Sequence, residues 1–397
     1  MNRISRDRWS VIAAYALVAS ANQLLWLTFA PITTPSAHYY GVSESDIGWL
    51  SEIFPLLYVV LAVPAASLLD RWFRPALLGG AILTAVGGAI RLAGPSFGWA
   101  LLGQLLIAVA QPLVLNAITG LASAHLRPSA RPLGIALGSA GVFLGMLCSL
   151  ALASILGGAR LHALLVIGAI YGIVAALALL GALAVGERPP ISGDVTGVFG
   201  MKTVWGDPVI RRMALVGFVG FGIFVAITTW LQPLLKPSGI RADTAGWLLV
   251  AMVLCGVIGS GVLPPPVVRS GLTARMFRLA VIVTGSACVL MAVWKSVPAI
   301  GVAVCLTGFC LLACLPVILE LAERRAGPAG TSATALIWLM GNAGGIVVAI
   351  LVQVVVHHPL VAFLLLAVVA AAALPIIRGL TMDESEIGVS GSVPERA

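Results

Sequence analysis

Long apolar runs, parted by short polar or charged intervals, alternate along almost the whole chain. Crossing a bilayer as a helix takes about 20 predominantly apolar residues. Twelve runs meet that length: 10–31, 46–69, 75–93, 97–125, 131–157, 161–186, 208–235, 243–265, 275–294, 297–322, 329–355 and 359–378. The pattern predicts an all-α membrane protein with twelve spans. The longest hydrophilic interval, Gly186 to Asp207, holds Glu187, Arg188, Asp194 and Lys202. It divides the chain into a first six-helix bundle (1–186), a linker (187–207), a second six-helix bundle (208–380) and a polar tail (381–397) expected to lack order.

The two halves repeat. Gly41-Val-Ser-Glu-Ser-Asp46-Ile-Gly48-Trp49-Leu50 has a counterpart in Gly239-Ile-Arg-Ala-Asp243-Thr-Ala-Gly246-Trp247-Leu248. Each stands at the mouth of the second run of its half. Further on, Gln111-Pro112-Leu-Val-Leu-Asn116 lines up with Leu315-Pro316-Val-Ile-Leu-Glu320. Parallel six-helix repeats place a substrate site near mid-membrane at the repeat interface, with access alternating by rocking.

Composition agrees with the pattern. The chain is 60% hydrophobic and 10% charged, with a mean hydropathy of +1.08, against about 25% charged in soluble proteins. The net charge of +8 comes from basic residues scattered singly between apolar runs, which points to topology and not to nucleic acid. The basic N-terminus precedes a first run with no small-residue cleavage site, so that run is expected to be a retained span. With the N-terminus inside, 18 Lys and Arg fall on the cytoplasmic side and 5 outside, Arg91 among the latter. That bias puts both termini in the cytoplasm and the protein in the inner or plasma membrane.

All six cysteines lie within apolar runs, and neither disulfide nor metal-ligand spacing is present. Phosphate-binding loops and catalytic triads are likewise missing, so the expectation is a non-enzymatic protein without cofactor. Its expected partners are a small-molecule substrate and the lipid bilayer, not nucleic acid, and it is expected to be a monomer.

Intramembrane polar residues carry the candidate chemistry. Glu52 lies within the second run, where a carboxylate points to function; its roles are counter-ion to a cation, proton site or a side chain reaching the surface. Trp26 sits short of the interface at which tryptophans anchor, and an indole face attracts ammonium groups. Gln111 and Asn116 are mid-run polar residues beside Pro112, with Gln104 on the same helix. Thr228, Thr229, Trp230 and Gln232, with Trp338 and Asn342, are the second-half candidates. Polar side chains also tie membrane helices together without touching substrate.

Ala66-Ser-Leu-Leu-Asp70-Arg71-Trp-Phe-Arg74 resembles the signature between the second and third helices of the major facilitator superfamily, with Ala66 and Phe73 in place of glycines. Within that superfamily the chain resembles the feline leukaemia virus subgroup C receptor-related family. The resemblance rests on Asn22 to Trp26, on Tyr40-Gly41-Val with Asp46 to Ser51, on Gly103 to Gln111, and on Leu315 to Glu320 with Gly330-Thr331-Ser332. It implies a secondary transporter of choline or related amines, with haem as another proposed cargo. It also implies a cation cage built on Trp26 and Gln111, with Phe224 or Val225 where the family has a tyrosine. Glu52 stands where that family is apolar. Asp70, Arg71, Arg74 and Glu320 are implied in gating, Asp70 meeting the start of the eleventh span, where free N–H groups favour a carboxylate. Efflux of lipophilic compounds, porphyrin transport and a non-transporting receptor on the same fold remain open alternatives.

Overall fold

The computed structural model describes residues 7–127, 130–185, 198–263, 267, 270, 272–326 and 329–388. Within these, twelve helices are long and apolar enough to cross a membrane. They are span 1 (Trp9–Tyr40), span 2 (Glu44–Leu69), span 3 (Arg71–Ile90), span 4 (Phe97–Leu115), span 5 (Leu133–Leu156), span 6 (Leu161–Ala184), span 7 (Pro208–Ser238), span 8 (Ala242–Val262), span 9 (Thr273–Val293), span 10 (Val297–Leu319), span 11 (Ser332–Val354) and span 12 (Pro359–Leu380). No strand occurs among the described residues. The expected twelve-helix all-α architecture is the observed one.

The structure departs from the sequence pattern at four places. Span 1 outlasts its apolar run: its α-helix ends at Trp26, a 3-10 segment holding Pro31 follows over Leu27–Ile32, and a short helix Thr33–Tyr40 completes it. The run expected as one helix over 97–125 breaks at Asn116 and Ala117 into Phe97–Leu115 and Ile118–His125. Spans 2 and 3 join with a single non-helical residue, Trp72, at φ −138° and ψ 58°. The helix ending span 12 continues to Gly388, past the last apolar turn.

The repeated segments have a shared local reason. Gly41 (φ +66°) and Gly239 (φ +75°) both adopt left-handed backbone, which glycine reaches without a Cβ penalty. Each terminates the preceding helix so that the next can begin. Span 2 then starts with a reciprocal cap: the Asp46 N–H donates to Ser43 Oγ (3.1 Å), and the Ser43 N–H donates to Asp46 Oδ2 (2.9 Å).

By contacts the chain forms two compact units: Met1–Phe199 with Ala226–Val253, and Gly200–Val225 with Leu254–Ala397. In the first, Gly141 and Gly145 of span 5 lie so close to the Ala16 and Ser20 backbone of span 1 that no side chain fits. In the second, Gly344 of span 11 lies equally close to the Phe218 backbone of span 7. Small residues that let backbones approach are the usual cement between membrane helices, where apolar burial gives little drive. A buried cluster including Phe29, Ile32, Ile47, Leu50, Ala153 and Leu161 fills the first unit near Tyr40.

Candidate functional site

The site in the first unit is built on two interrupted helices. Where span 1 passes from α-helix to 3-10 helix after Trp26, side chains serve its carbonyls. Ser149 Oγ donates to Leu24 O (2.6 Å), and the Thr28 hydroxyl shares its proton between Leu24 O and Leu25 O (3.0 and 3.1 Å). Arg91 Nη1 reaches Leu25 O (3.4 Å) and Gln104 Nε2 reaches Trp26 O (3.5 Å).

In span 2 the interruption is Pro55, which has no N–H to give the Ser51 carbonyl four residues earlier. The Trp26 indole fills that gap: its Nε1 donates to Ser51 O at 2.9 Å. One ring face stacks on Phe54, with centroids 5.9 Å apart and planes 28° apart. On either side of Ser51, Leu50 O accepts from Gln104 Nε2 (3.1 Å) and Glu52 Oε1 contacts Thr229 Oγ1 (2.9 Å). Three consecutive residues of span 2 are thus held by spans 4, 1 and 7. Glu52 is only 2% exposed, its Oε2 has no hydrogen-bond partner, and no ion pair among the described residues includes it.

A polar layer lies toward the Tyr40 end of the same unit. The Thr34 N–H donates to Gln232 Oε1 (3.1 Å), Gln232 Nε2 donates to Thr34 Oγ1 (2.8 Å), and that hydroxyl donates to Glu44 Oε1 (2.8 Å). Lys236 pairs with the same carboxylate at 2.6 Å, partly exposed. Such an exposed pair contributes about 1 kcal/mol or less. Beneath it the second glycine of each repeat is a close-approach point. A Cβ on Gly48 would meet the Trp230 ring at 2.6 Å, and one on Gly246 would meet Pro31 Cβ at 3.1 Å as well as the Ser154 hydroxyl.

The other expected residues fall as follows. Gln111 is buried, and its Oε1 has no hydrogen-bond partner among the described residues. Asn116 accepts from the Tyr58 hydroxyl at 2.6 Å, and its Nδ2 has no partner among the described residues. Thr228 is buried in the first unit. In the second unit, Phe221, a residue the sequence did not single out, joins Phe224 (5.9 Å) to Trp338 (6.0 Å, edge to face). Asn342 Nδ2 donates to Trp338 O (2.8 Å). The side chains of Asp70, Glu320 and Thr331 lie outside the described residues. Arg71 lies over Trp72, 4.9 Å from its ring centre, and Arg74 bonds the Leu183 carbonyl at the end of span 6. Among the described residues no group of three or more His, Cys, Asp or Glu is arranged to hold a metal.

Arg91 corrects the charge pattern. Counted there among the basic residues on the outer side, it is 1% exposed. Its Nη1 reaches Leu25 O, Thr28 Oγ1 (3.4 Å each) and Gln104 Oε1 (3.3 Å), while Nε and Nη2 have no partner among the described residues. Gly103 and Gly168 make room for it: a Cβ on Gly168 would sit 3.2 Å from Nη2. The sequence signal was weak, a single arginine at the end of an apolar run.

Three comparisons bear on this geometry. The family model described as Major Facilitator Superfamily matches residues 11–349. Solute carrier family 49 member A3 of Danio rerio is 29% identical over 378 residues, 88% of this chain and 79% of that protein. Human choline/ethanolamine transporter FLVCR2 is 32% identical over 125 residues, 30% of this chain and only 24% of that protein. Among solved structures, a POT family transporter in complex with a thioalcohol-conjugated peptide superposes with a TM-score of 0.75 at 13% identity, covering 95% of this chain and 96% of that one. The Escherichia coli fucose:proton symporter FucP gives 0.65 at 18% identity, covering 94% and 99%. At those identities the structures share the fold alone.

Proposed function

Since this chain belongs to the Major Facilitator Superfamily and is an integral multi-pass transporter, we propose that its cargo is a small organic cation, choline-like in charge and size. One observation carries the reading: a buried tryptophan ring fixed in orientation on the Ser51 carbonyl, one residue along span 2 from the buried Glu52 carboxyl group, which forms no ion pair among the described residues. An indole face attracts ammonium groups by about 2 kcal/mol when desolvated, and the carboxylate offsets the charge. The likeness to choline/ethanolamine transporters over 125 residues supports the same chemistry.

In the first unit the proposed cargo contacts are Trp26, Glu52, Gln111, Asn116 and Thr228. Gln111 has a free amide oxygen for a cargo hydroxyl. In the second unit they are Phe224, Trp338 and Asn342. Asp70, Arg71, Arg74 and Glu320 are proposed to act in gating. The charge bias supports cytoplasmic termini in an inner or plasma membrane, and the long hydrophilic interval supports two six-helix repeats as the functional halves. In that orientation the Thr34–Gln232 and Glu44–Lys236 layer is the outer barrier. A porphyrin bearing carboxylates would gain no charge pairing from Glu52 in either protonation state, which disfavours it.

Thermal unfolding of the purified protein with choline, ethanolamine, a porphyrin and a lipophilic dye tests the assignment. A ligand at 100 times its Kd stabilises the native state by about 2.7 kcal/mol. The expected result is a raised midpoint with the amines alone; a shift with porphyrin or dye and none with amines contradicts it.

A further inference from the structure

We propose that Glu52 carries a proton in the arrangement seen here and releases it when a cation binds, so that the protein exchanges one organic cation for one proton. The inference rests on the cation reading above. It begins from what surrounds the carboxyl group. Glu52 is buried, its Oε1 meets one neutral hydroxyl, Thr229 Oγ1, and its Oε2 has no hydrogen-bond partner among the described residues. A carboxylate anion offers about four acceptor positions, and burying it with a single neutral donor is far less favourable than neutralising it. The 2.9 Å contact serves the acid equally well, with Oε1–H donating to the Thr229 hydroxyl.

Charged and titratable groups on the neighbouring elements are engaged elsewhere. Tyr15 of span 1 donates to Val114 O, and Tyr58 of span 2 to Asn116. Arg91, beyond span 3, directs Nη1 to Leu25 O, Thr28 and Gln104, and no ion pair among the described residues joins it to Glu52. On span 4 the adjoining helix ends in His125, which contacts Leu121 O; on span 6 Tyr171 donates to Ser20 and His162 is exposed. Beyond span 7, Lys236 pairs with Glu44, and Arg241 pairs with Asp243 of span 8. His38 and Tyr39 near the end of span 1 are exposed, and Tyr40 packs on Phe29 and Phe97. None supplies Glu52 with a counter-ion.

The balance follows. The acid form gives up one proton to water, the carboxylate takes one monovalent cation, and the net charge at the position is zero before and after. The empty carrier with a neutral acid and the loaded carrier with a neutralised carboxylate are both suited to the buried state; the bare carboxylate is not. Exchange is therefore obligatory and electroneutral, and an acidic outside drives the cation outward.

Infrared difference spectroscopy of the purified, substrate-free protein reads the first half directly. At pH 7 the wild type is expected to show a protonated carboxyl band that Glu52→Gln removes and Thr229→Val shifts but keeps; absence of that band in the wild type overturns the proposal. Choline is the probe for the second half. Proton and cation compete for one carboxylate, so the apparent Kd for choline should rise about tenfold for each unit of falling pH while Glu52 is protonated, with one proton released per choline bound. In Glu52→Gln the apparent Kd should not depend on pH. Choline binding with no proton release overturns the exchange. A band without any choline binding overturns the cargo reading, and with it the cation exchange, but confirms Glu52 as the protonated group.

Discussion

The indole N–H of Trp26 donates to the Ser51 carbonyl at 2.9 Å, the oxygen that Pro55 leaves without a helical donor. A ring on span 1 is thereby keyed to a defect in span 2, and its orientation does not depend on the cargo. Trp26→Phe keeps a ring face but loses this bond, which is worth about 1 kcal/mol; Trp26→Ala loses the face as well. Titration calorimetry with choline should show Phe weakened by roughly fivefold and Ala without measurable binding. Wild-type-like binding in both would remove Trp26 from the site.

Gly48 and Trp230 make a second test. A methyl group on Gly48 would meet the Trp230 ring at 2.6 Å, and overpacking of this kind costs about 1–3 kcal/mol. Gly48→Ala should lower the unfolding midpoint, and Trp230→Leu in the same molecule should recover most of the loss. Gly41→Ala differs: nothing lies near its Cβ, but its φ of +66° strains any side chain, so no partner substitution should rescue it. Simple additivity of Gly48→Ala and Trp230→Leu would contradict the packing account.

For Arg91 the expectation concerns stability. Arg91→Met leaves the Gln104 amide oxygen without its Arg91 donor in a buried place, at about 1–3 kcal/mol for an unsatisfied group. Arg91→Lys should restore only part, because an ammonium is more strongly hydrated than a guanidinium and so costs more to bury. Thermal unfolding equal to wild type in both variants would return Arg91 to the role of a loop charge.

Asp207 gives the pH-dependent case. It caps span 7, accepting from the Val209 and Ile210 N–H groups (2.8 and 3.1 Å) and pairing with Arg325 at 2.8 Å. Burial pushes its carboxyl up, but the Ile210 amide, the Arg325 side chain and the Val209 amide outweigh that and hold it below its ordinary value of 3.8. A depressed folded-state value adds stability above the unfolded value and loses it as pH falls through the folded one. Asp207→Ala should cost about 1 kcal/mol near neutrality, as lost caps do. Denaturation series should show the gap from wild type closing only below about pH 4, and a gap that persists in stronger acid would contradict the assignment.

The spans were legible because bilayer thickness imposes a length on apolar runs, and the repeat was legible because Gly41 and Gly239 must both turn left-handed. Trp26, Glu52 and Gln111 stood out as polar or aromatic residues where lipid permits few. What the pattern hid depends on tertiary partners. The end of an apolar run does not say whether Arg91 meets water or folds back into space left by Gly103 and Gly168. Phe221 looked like any apolar residue until Phe224 and Trp338 were seen around it. Pro55 could be read as a kink, but not as the reason Ser51 receives an indole from span 1.

Uptake of labelled choline into proteoliposomes tests the central claim most directly. Wild-type protein should carry choline down its gradient, saturably and in competition with ethanolamine, while Trp26→Ala, reconstituted at equal density, should lose the flux. No saturable choline flux through folded wild-type protein, or equal flux through both, would contradict the account.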